Sequence, residues 1–174
     1  PDTTLEKLEA LRPVFGGPDG SVTAGNAPGI NDGAAAIVLM SRRRARQLRR
    51  EPLATWLGYG ESAADHPYLA TVPALALQRA LDRQAGPTSQ DLRLLEINEA
   101  FASVVLTSSR MLEVDLDRVN VNGGAIAIGH PIGASGARIL GGLVLELRRR
   151  GGGLGAATIC SGLAQGEATL VEVA

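Results

Sequence analysis

The sequence predicts an α/β protein with one mixed five-stranded sheet and helices on both faces. Stretches rich in apolar and β-favouring residues alternate along the chain with stretches whose apolar residues recur at helical spacing. The last two predicted strands are joined only by a short turn, so they must run antiparallel, whereas the longer helical connections favour parallel neighbours. We therefore expect a mostly parallel sheet that ends in an antiparallel hairpin.

Glycine, proline and other turn-forming residues bound the predicted elements. The strands are predicted at residues 34–40, 53–60, 92–97, 154–160 and 168–173. The helices are predicted at residues 3–11, 41–50, 73–85, 98–112 and 133–150. Residues 1–33 are expected to form an N-terminal helix and a connecting loop, and residues 34–174 the main domain.

The helix predicted at residues 133–150 has apolar side chains around most of its circumference, which is typical of a helix buried on nearly all sides. It also contains Gly136, Gly141 and Gly142, each of which costs about 1 kcal/mol of helix stability relative to alanine. Such a cost is understandable if another element packs very close to this helix. One domain of this size offers few such elements, so we expect a partner outside it.

Composition excludes several classes of protein. The chain has 174 residues, of which 45% are hydrophobic, and a net charge of −1, so it can form one domain with a full core but offers no global attraction for nucleic acid. No stretch approaches the roughly 20 apolar residues of a membrane span. One cysteine and two histidines make a poor zinc set and predict no metal site, and the single cysteine favours a reducing, cytoplasmic compartment. Because the chain begins with Pro1 and not with Met, we expect it to be part of a longer polypeptide.

Three side chains that could take part in catalysis lie at or near the ends of predicted strands or in a turn that follows them. Asn98 follows the third strand, Cys160 ends the fourth, and His130 lies in a glycine-rich turn directly before Pro131. Parallel strands deliver their carboxyl ends to one edge of a sheet, where a thiol could move a proton while imidazole and amide hold a developing oxyanion. The residues alone leave simpler interpretations open: a helix N-cap for Asn98, a buried structural histidine, and an inert buried cysteine.

Longer motifs resolve these alternatives by resemblance. Asn-Glu-Ala-Phe-Ala at residues 98–102, the glycine-rich stretch at residues 120–138 and the turn that contains Cys160 resemble the C-terminal half of thiolases, and residues 23–26 and 31–36 match as well. The resemblance implies a thiolase-like fold, with residues 34–174 as its C-terminal domain. It also implies an acyltransferase that cleaves 3-oxoacyl-CoA by thiolysis or condenses acetyl-CoA, with coenzyme A and acyl-CoA as substrates and no covalently bound cofactor.

The resemblance assigns roles to individual residues. Cys160 matches the acid/base for the α-proton, His130 the residue that activates the acyl-accepting cysteine and donates to a thioester oxygen, and Asn98 the holder of a water in that oxyanion hole. The backbone N–H of Gly162 matches a donor in a second oxyanion hole. The positions that line the pantetheine channel correspond to Ala27, Pro28, Ala100 and Phe101.

The sequence also departs from the family pattern. The nucleophilic cysteine that carries the acyl group has no counterpart, so we expect activity only together with an N-terminal half, supplied by the same polypeptide or by a second chain, and we expect a homo-oligomer. Leu163 and Ala164 stand where glycines are usual, which alters the second oxyanion hole, and Pro28 stands where serine is frequent. The alternatives are another condensing enzyme of this superfold or a non-catalytic domain that binds acyl-CoA or protein.

Overall fold

The computed structural model describes residues 2–174 and contains one four-stranded sheet. The helices are α1 (Leu5–Glu9), α2 (Arg42–Gln47), α3 (Val72–Asp82), α4 (Ala102–Met111), α5 (Ala125–Ile128) and α6 (Ser135–Arg149). The strands are β1 (Thr55–Ala63), β2 (Leu94–Ile97), β3 (Gly153–Ser161) and β4 (Gln165–Val173). Among these residues no helix is both long and apolar enough to cross a bilayer.

The strand order β1-β4-β3-β2 confirms a mixed sheet. β2 and β3 pair in parallel, and β4 pairs antiparallel with β3 on one side and with β1 on the other. Three strands therefore run in one direction, yet only one pairing is parallel, because the tight hairpin inserts β4 between β3 and β1. The predicted C-terminal hairpin is confirmed.

The first of the five predicted strands, at residues 34–40, is wrong. These seven residues belong to no helix or strand, and all are exposed, with Val38 at 82% and Leu39 at 78%. Their sequence is apolar and β-favouring, but a strand forms only when a neighbour satisfies its backbone N–H and C=O groups. In the described part of the chain no strand lies beside them, so propensity alone is insufficient.

Helix α4 begins four residues later than predicted. Phe101, in an extended conformation, precedes its first residue, and residues 98–100 form the link from β2. The backbone N–H of Asn98 donates to the carbonyl of Thr158 at 2.9 Å and so continues the sheet. Asn98 is therefore a strand-end residue and not the N-cap of a helix.

Helices cover both faces of the sheet, as predicted. On one face α3 lies across β1, β4 and β3 while α4 lies beside β2, and their contacts enclose a core that includes Leu77, Leu95 and Leu170. On the other face α6 packs through Leu143 and Leu147 on β2 and β3. Because α6 covers only part of that face, an open groove of about 290 Å³ remains between it and β1 and β4.

Helix α3 approaches the sheet closely because β1 carries small residues where they meet. A β-carbon on Gly60 would overlap the carbonyl oxygen of Ala76 and the backbone of Ala80. One turn earlier, the Ser62 hydroxyl donates to the carbonyl of Val72 at 2.7 Å. By contrast, a β-carbon on any of the three helical glycines of α6 would meet no atom of another described segment within 4 Å, so the described residues do not provide the close partner expected for that helix.

Replacing Gly60 by alanine should lower the free energy of unfolding by about 1–3 kcal/mol, since α3 would have to move away from β1. Gly86→Ala is the matched control, because a β-carbon there meets only the carbonyl oxygen of Gln84, at 4.0 Å. Urea unfolding of both variants measures the difference. Equal stabilities would contradict the close contact between α3 and β1.

Candidate active site

The site is assembled on the long connection from β2 to β3. Asn98 continues β2 and is 1% exposed, and the register of the parallel pair aligns Ile97 with Thr158. Cys160 lies two residues beyond Thr158, so it reaches the same edge of the sheet as Asn98. This is the arrangement expected from the sequence.

His130 contacts Asn98 directly. Its Nε2 atom lies 3.3 Å from Nδ2 of Asn98, and its Nδ1 atom lies 2.7 Å from the hydroxyl oxygen of Ser135. The imidazole is thus held from both sides by polar side chains that are themselves buried. Burial, and then the guanidinium of Arg138, lower the pKa of His130 below its ordinary value, so the ring is neutral at pH 7.

Backbone contacts fix the loop that carries His130. Gly129 has φ 93°, in the left-handed region that favours glycine, and its carbonyl accepts from Nη1 of Arg138 at 2.8 Å. The N–H of His130 donates to the carbonyl of Gly29 at 2.9 Å. A β-carbon on Gly129 would overlap the side chain of Asn31, so the close approach of the two loops also requires glycine.

The carboxylate of Glu99 ties the end of β2 to the same loop. It accepts from Nδ2 of Asn120 at 3.2 Å and from the N–H of Ile126 at 2.9 Å. A β-carbon on Gly124 would overlap this carboxyl group. Glu99 and Ser135 were not predicted as site residues from the sequence. For Glu99 a signal was present, because an acidic side chain directly after Asn98, where a strand gives way to a helix, is in reach of the same loop.

The loop at residues 23–33 closes one side of the site. The carbonyl of Asn26 accepts from the N–H of Ala102 at 2.8 Å, which brings the following Ala27 and Pro28 alongside the start of α4. All four predicted channel residues are half-buried, and two of them pack against the core. Those two are Ala100 and Phe101.

Cys160 is 8% exposed, and burial raises the pKa of its thiol. Within the described residues its side chain makes no hydrogen bond to Asn98 or His130, so these three meet at one edge without a continuous chain of hydrogen bonds. Gly162 lies exposed in the turn between β3 and β4. The next residues, Leu163 and Ala164, have φ of 60° and 51°, so this turn keeps a left-handed backbone without glycine.

Glu96 is a second half-buried acid near the site. It lies on the α6 face of β2, and in the described residues its carboxyl has no hydrogen-bond or ion-pair partner. Desolvation, and then the charge of Glu99, raise its pKa to about 7, with Glu146 adding to the shift and Arg138 opposing it. Residues 2–174 contain no cluster of three or more acidic, histidine or cysteine side chains that could hold a metal ion.

Comparison with known proteins identifies the family. The model of the thiolase C-terminal domain matches residues 50–173, and that of the thiolase N-terminal domain matches residues 1–43. The chain belongs to the thiolase family. The resemblance found in the sequence motifs is thereby confirmed.

Curated relatives and solved structures agree with this assignment. The chain is 49% identical over 98% of its length to an acetyl-CoA acetyltransferase of Allochromatium vinosum, and 46% identical over 99% to human mitochondrial 3-ketoacyl-CoA thiolase. Its fold matches the Bacillus anthracis acetyl-CoA acetyltransferase with a TM-score of 0.94 at 44% identity, and human mitochondrial 3-ketoacyl-CoA thiolase in complex with CoA with 0.89 at 41%. These matches cover 99% and 100% of this chain but only 43% and 44% of the solved thiolase chains, and the two curated relatives are likewise covered over 43% of their length.

Glu96→Gln should remove a pH dependence of stability. Because the pKa of Glu96 is raised on folding, the folded chain holds its proton more tightly, and the free energy of unfolding should fall as pH rises from about 4.5 to about 7. At pH 8 the glutamine variant should be more stable than the parent by up to about 2–3 kcal/mol, and at pH 4 the two should be similar.

Urea unfolding at a series of pH values measures this effect. Glu172→Gln, which changes an exposed glutamate on β4, is the control and should leave the slope unchanged. Parallel pH profiles for the parent and Glu96→Gln would contradict the assignment.

Proposed function

We propose that this chain is the C-terminal catalytic half of a thiolase, which transfers an acyl group between acyl-CoA thioesters and coenzyme A. The observation that carries the proposal is the contact of Asn98 with His130 at the sheet edge to which Cys160 is also delivered. Family membership supports it, as do relatives named acetyl-CoA acetyltransferase and 3-ketoacyl-CoA thiolase. The acyl-carrying cysteine is supplied by an N-terminal half outside these 174 residues.

In this proposal His130 acts on the absent nucleophile. As a neutral imidazole it can accept the thiol proton and then, with that proton on Nε2, donate to the thioester oxygen. The side-chain oxygen of Asn98 is buried and has no hydrogen-bond partner among the described residues, so it offers an acceptor for the water proposed in the same oxyanion hole.

Cys160 is proposed as the acid/base for the α-carbon. The raised pKa keeps the thiol protonated at rest, which suits the delivery of a proton to the carbanion that leaves during thiolysis. In the condensing direction the thiol first gives its proton to the coenzyme A thiolate that acyl transfer releases, and the resulting Cys160 thiolate then removes the α-proton. The N–H of Gly162 is proposed to stabilise the enolate oxygen. The exposure of Gly162 in its turn is compatible with that role.

The proposed substrates and partners follow from the same assignment. Coenzyme A and acyl-CoA would pass between the two half-buried segments that hold Ala27 and Pro28 and Ala100 and Phe101, which the bond from Ala102 to Asn26 brings side by side. A homo-oligomer and a cytoplasmic location are proposed as well, the latter supported by the free cysteine. No covalently bound cofactor is required.

The 174-residue chain alone should not cleave acetoacetyl-CoA, because its one cysteine is assigned to proton transfer. Co-expression with the N-terminal half of the Allochromatium vinosum acetyl-CoA acetyltransferase should restore thiolysis, measured by loss of the enolate absorbance of the substrate. His130→Ala should abolish this restored activity, whereas His66→Ala, which changes an exposed residue, should not. Turnover by the chain alone would refute the assignment, and no turnover by the reconstituted pair would favour a non-catalytic acyl-CoA-binding role.

Cys160→Ser should separate the two half-reactions of the reconstituted enzyme. Acyl transfer from acetyl-CoA to the N-terminal cysteine needs no α-proton removal, so mass spectrometry should still detect the acetyl adduct on that half. Exchange of the acetyl methyl protons with deuterated water should be lost, since it depends on the base. An acetyl adduct mapped to Cys160 in the parent enzyme, or normal proton exchange in the variant, would contradict the assignment of Cys160 as the acid/base.

A further inference from the structure

We propose that Ser135 is a positioning residue that holds His130 in the tautomer with its proton on Nδ1, so that Nε2 presents a lone pair to the site. This inference refines the proposed function and rests on it in one respect: the role of Nε2, which is to accept the proton of the nucleophilic thiol. The hydrogen-bond chain itself is a property of this chain alone and can be tested without activity.

The number of protons available determines which groups donate and which accept in the hydrogen bonds around Ser135. Its hydroxyl oxygen lies 3.0 Å from the carbonyl oxygen of Pro131 and 2.7 Å from Nδ1 of His130. The carbonyl can only accept, and the hydroxyl has a single proton to give. If that proton goes to Pro131, the hydroxyl must accept from His130, and Nδ1 must carry the proton.

Asn98 fits the other end of the same chain. In the Nδ1–H tautomer Nε2 is an acceptor, and the amide nitrogen of Asn98 faces it at 3.3 Å. The opposite tautomer would require the amide to turn round, so that both of its protons, and not its oxygen, would lack partners in a site that is 1% exposed. Buried N–H groups without an acceptor are rarer than buried carbonyl oxygens without a donor, which favours the observed orientation.

The first turn of α6 makes this arrangement rigid. Ser135 is fully buried and is the first residue of the helix, and its bond to Pro131 is the i−4 contact that serine makes with the preceding turn. Arg138, one turn later, binds the carbonyl of Gly129. The helix start therefore holds both the backbone before His130 and the far nitrogen of its ring.

A fixed tautomer lets one nitrogen perform two tasks in sequence. The S–H bond of the nucleophile breaks as an N–H bond forms on Nε2, which leaves a thiolate beside an imidazolium. The hydrogen bond from the Asn98 amide to Nε2 is given up as this proton arrives, because Nε2 can then no longer accept. The new N–H becomes a donor for the thioester oxygen, while Ser135 accepts from Nδ1–H before and after the transfer. The ring does not have to turn between the two tasks.

Long-range proton–nitrogen NMR of the 15N-labelled 174-residue chain tests the tautomer directly, since the two ring nitrogens differ in chemical shift according to which one is protonated. The chain has only two histidines, and exposed His66 is an internal reference for the Nε2–H tautomer that histidine prefers in water. At pH 7.5 His130 should show a protonated Nδ1 and an unprotonated Nε2. A protonated Nε2 in the parent chain would overturn the proposal.

Variants assign the effect to the hydroxyl. Ser135→Ala should shift the tautomer ratio of His130 towards Nε2–H by the order of tenfold, as loss of one buried hydrogen bond predicts. Ser135→Thr retains the hydroxyl and should retain the parent tautomer. The control is Ser109→Ala on α4, which removes a buried hydroxyl that has no hydrogen-bond partner among the described residues and should leave the ratio unchanged. An unchanged ratio in Ser135→Ala would show that Ser135 does not set it.

The outcomes separate the two proposals. An Nδ1–H ring that depends on Ser135, with no thiolysis after reconstitution, would refute the proposed function and leave the positioning role intact. Thiolysis by a reconstituted enzyme whose His130 carries its proton on Nε2 at rest would support the proposed function and refute the positioning role of Ser135.

Discussion

The parallel pairing of β2 with β3 is the constraint on which the site depends. Two parallel neighbours cannot be joined by a tight turn, so the chain must cross over one face of the sheet before it returns. Here the crossover at residues 98–152 carries Asn98 at its start and His130 and Ser135 near its middle, and β3 then delivers Cys160 to the starting edge. The connection that the sheet requires for geometric reasons is also the segment that carries most of the candidate chemistry.

Two glutamates on either side of the end of β2 illustrate how burial is handled in this region. Glu99 receives two hydrogen bonds and thereby fixes the loop of His130. Glu96, also half-buried, has no hydrogen-bond or ion-pair partner among the described residues, and its pKa is raised to about 7. Hydrogen-bond donors around a carboxylate offset the cost of removing its charge from water. Without such donors, desolvation raises the pKa and the group stays protonated. Only the first arrangement can organise a loop.

Much of the fold could be predicted from the sequence, as could the placement of Asn98 and Cys160 at one edge of the sheet, because apolar periodicity and long motifs are local signals. The exposed segment at residues 34–40 could not, since its propensity is genuine and only the lack of a neighbouring strand decides its structure. The contacts of Glu99 and Ser135 were missed for a related reason. They depend on side-chain directions across the crossover, and Ser135 in particular has the same sequence context as an ordinary helix-start serine.

The position of β4 affects the order in which the sheet can form. It is the last strand of the chain but lies inside the sheet, where Thr55 at the start of β1 pairs with Glu172 almost at the C-terminus. Closing the long loop between these residues costs conformational entropy before their pairing contributes any stability. Strand β1 therefore has no neighbouring strand until β4 has been synthesised. A truncation of those last residues would not trim an edge. It would remove the strand that joins β1 to the rest of the sheet and leave helix α3 as the main element that β1 still contacts.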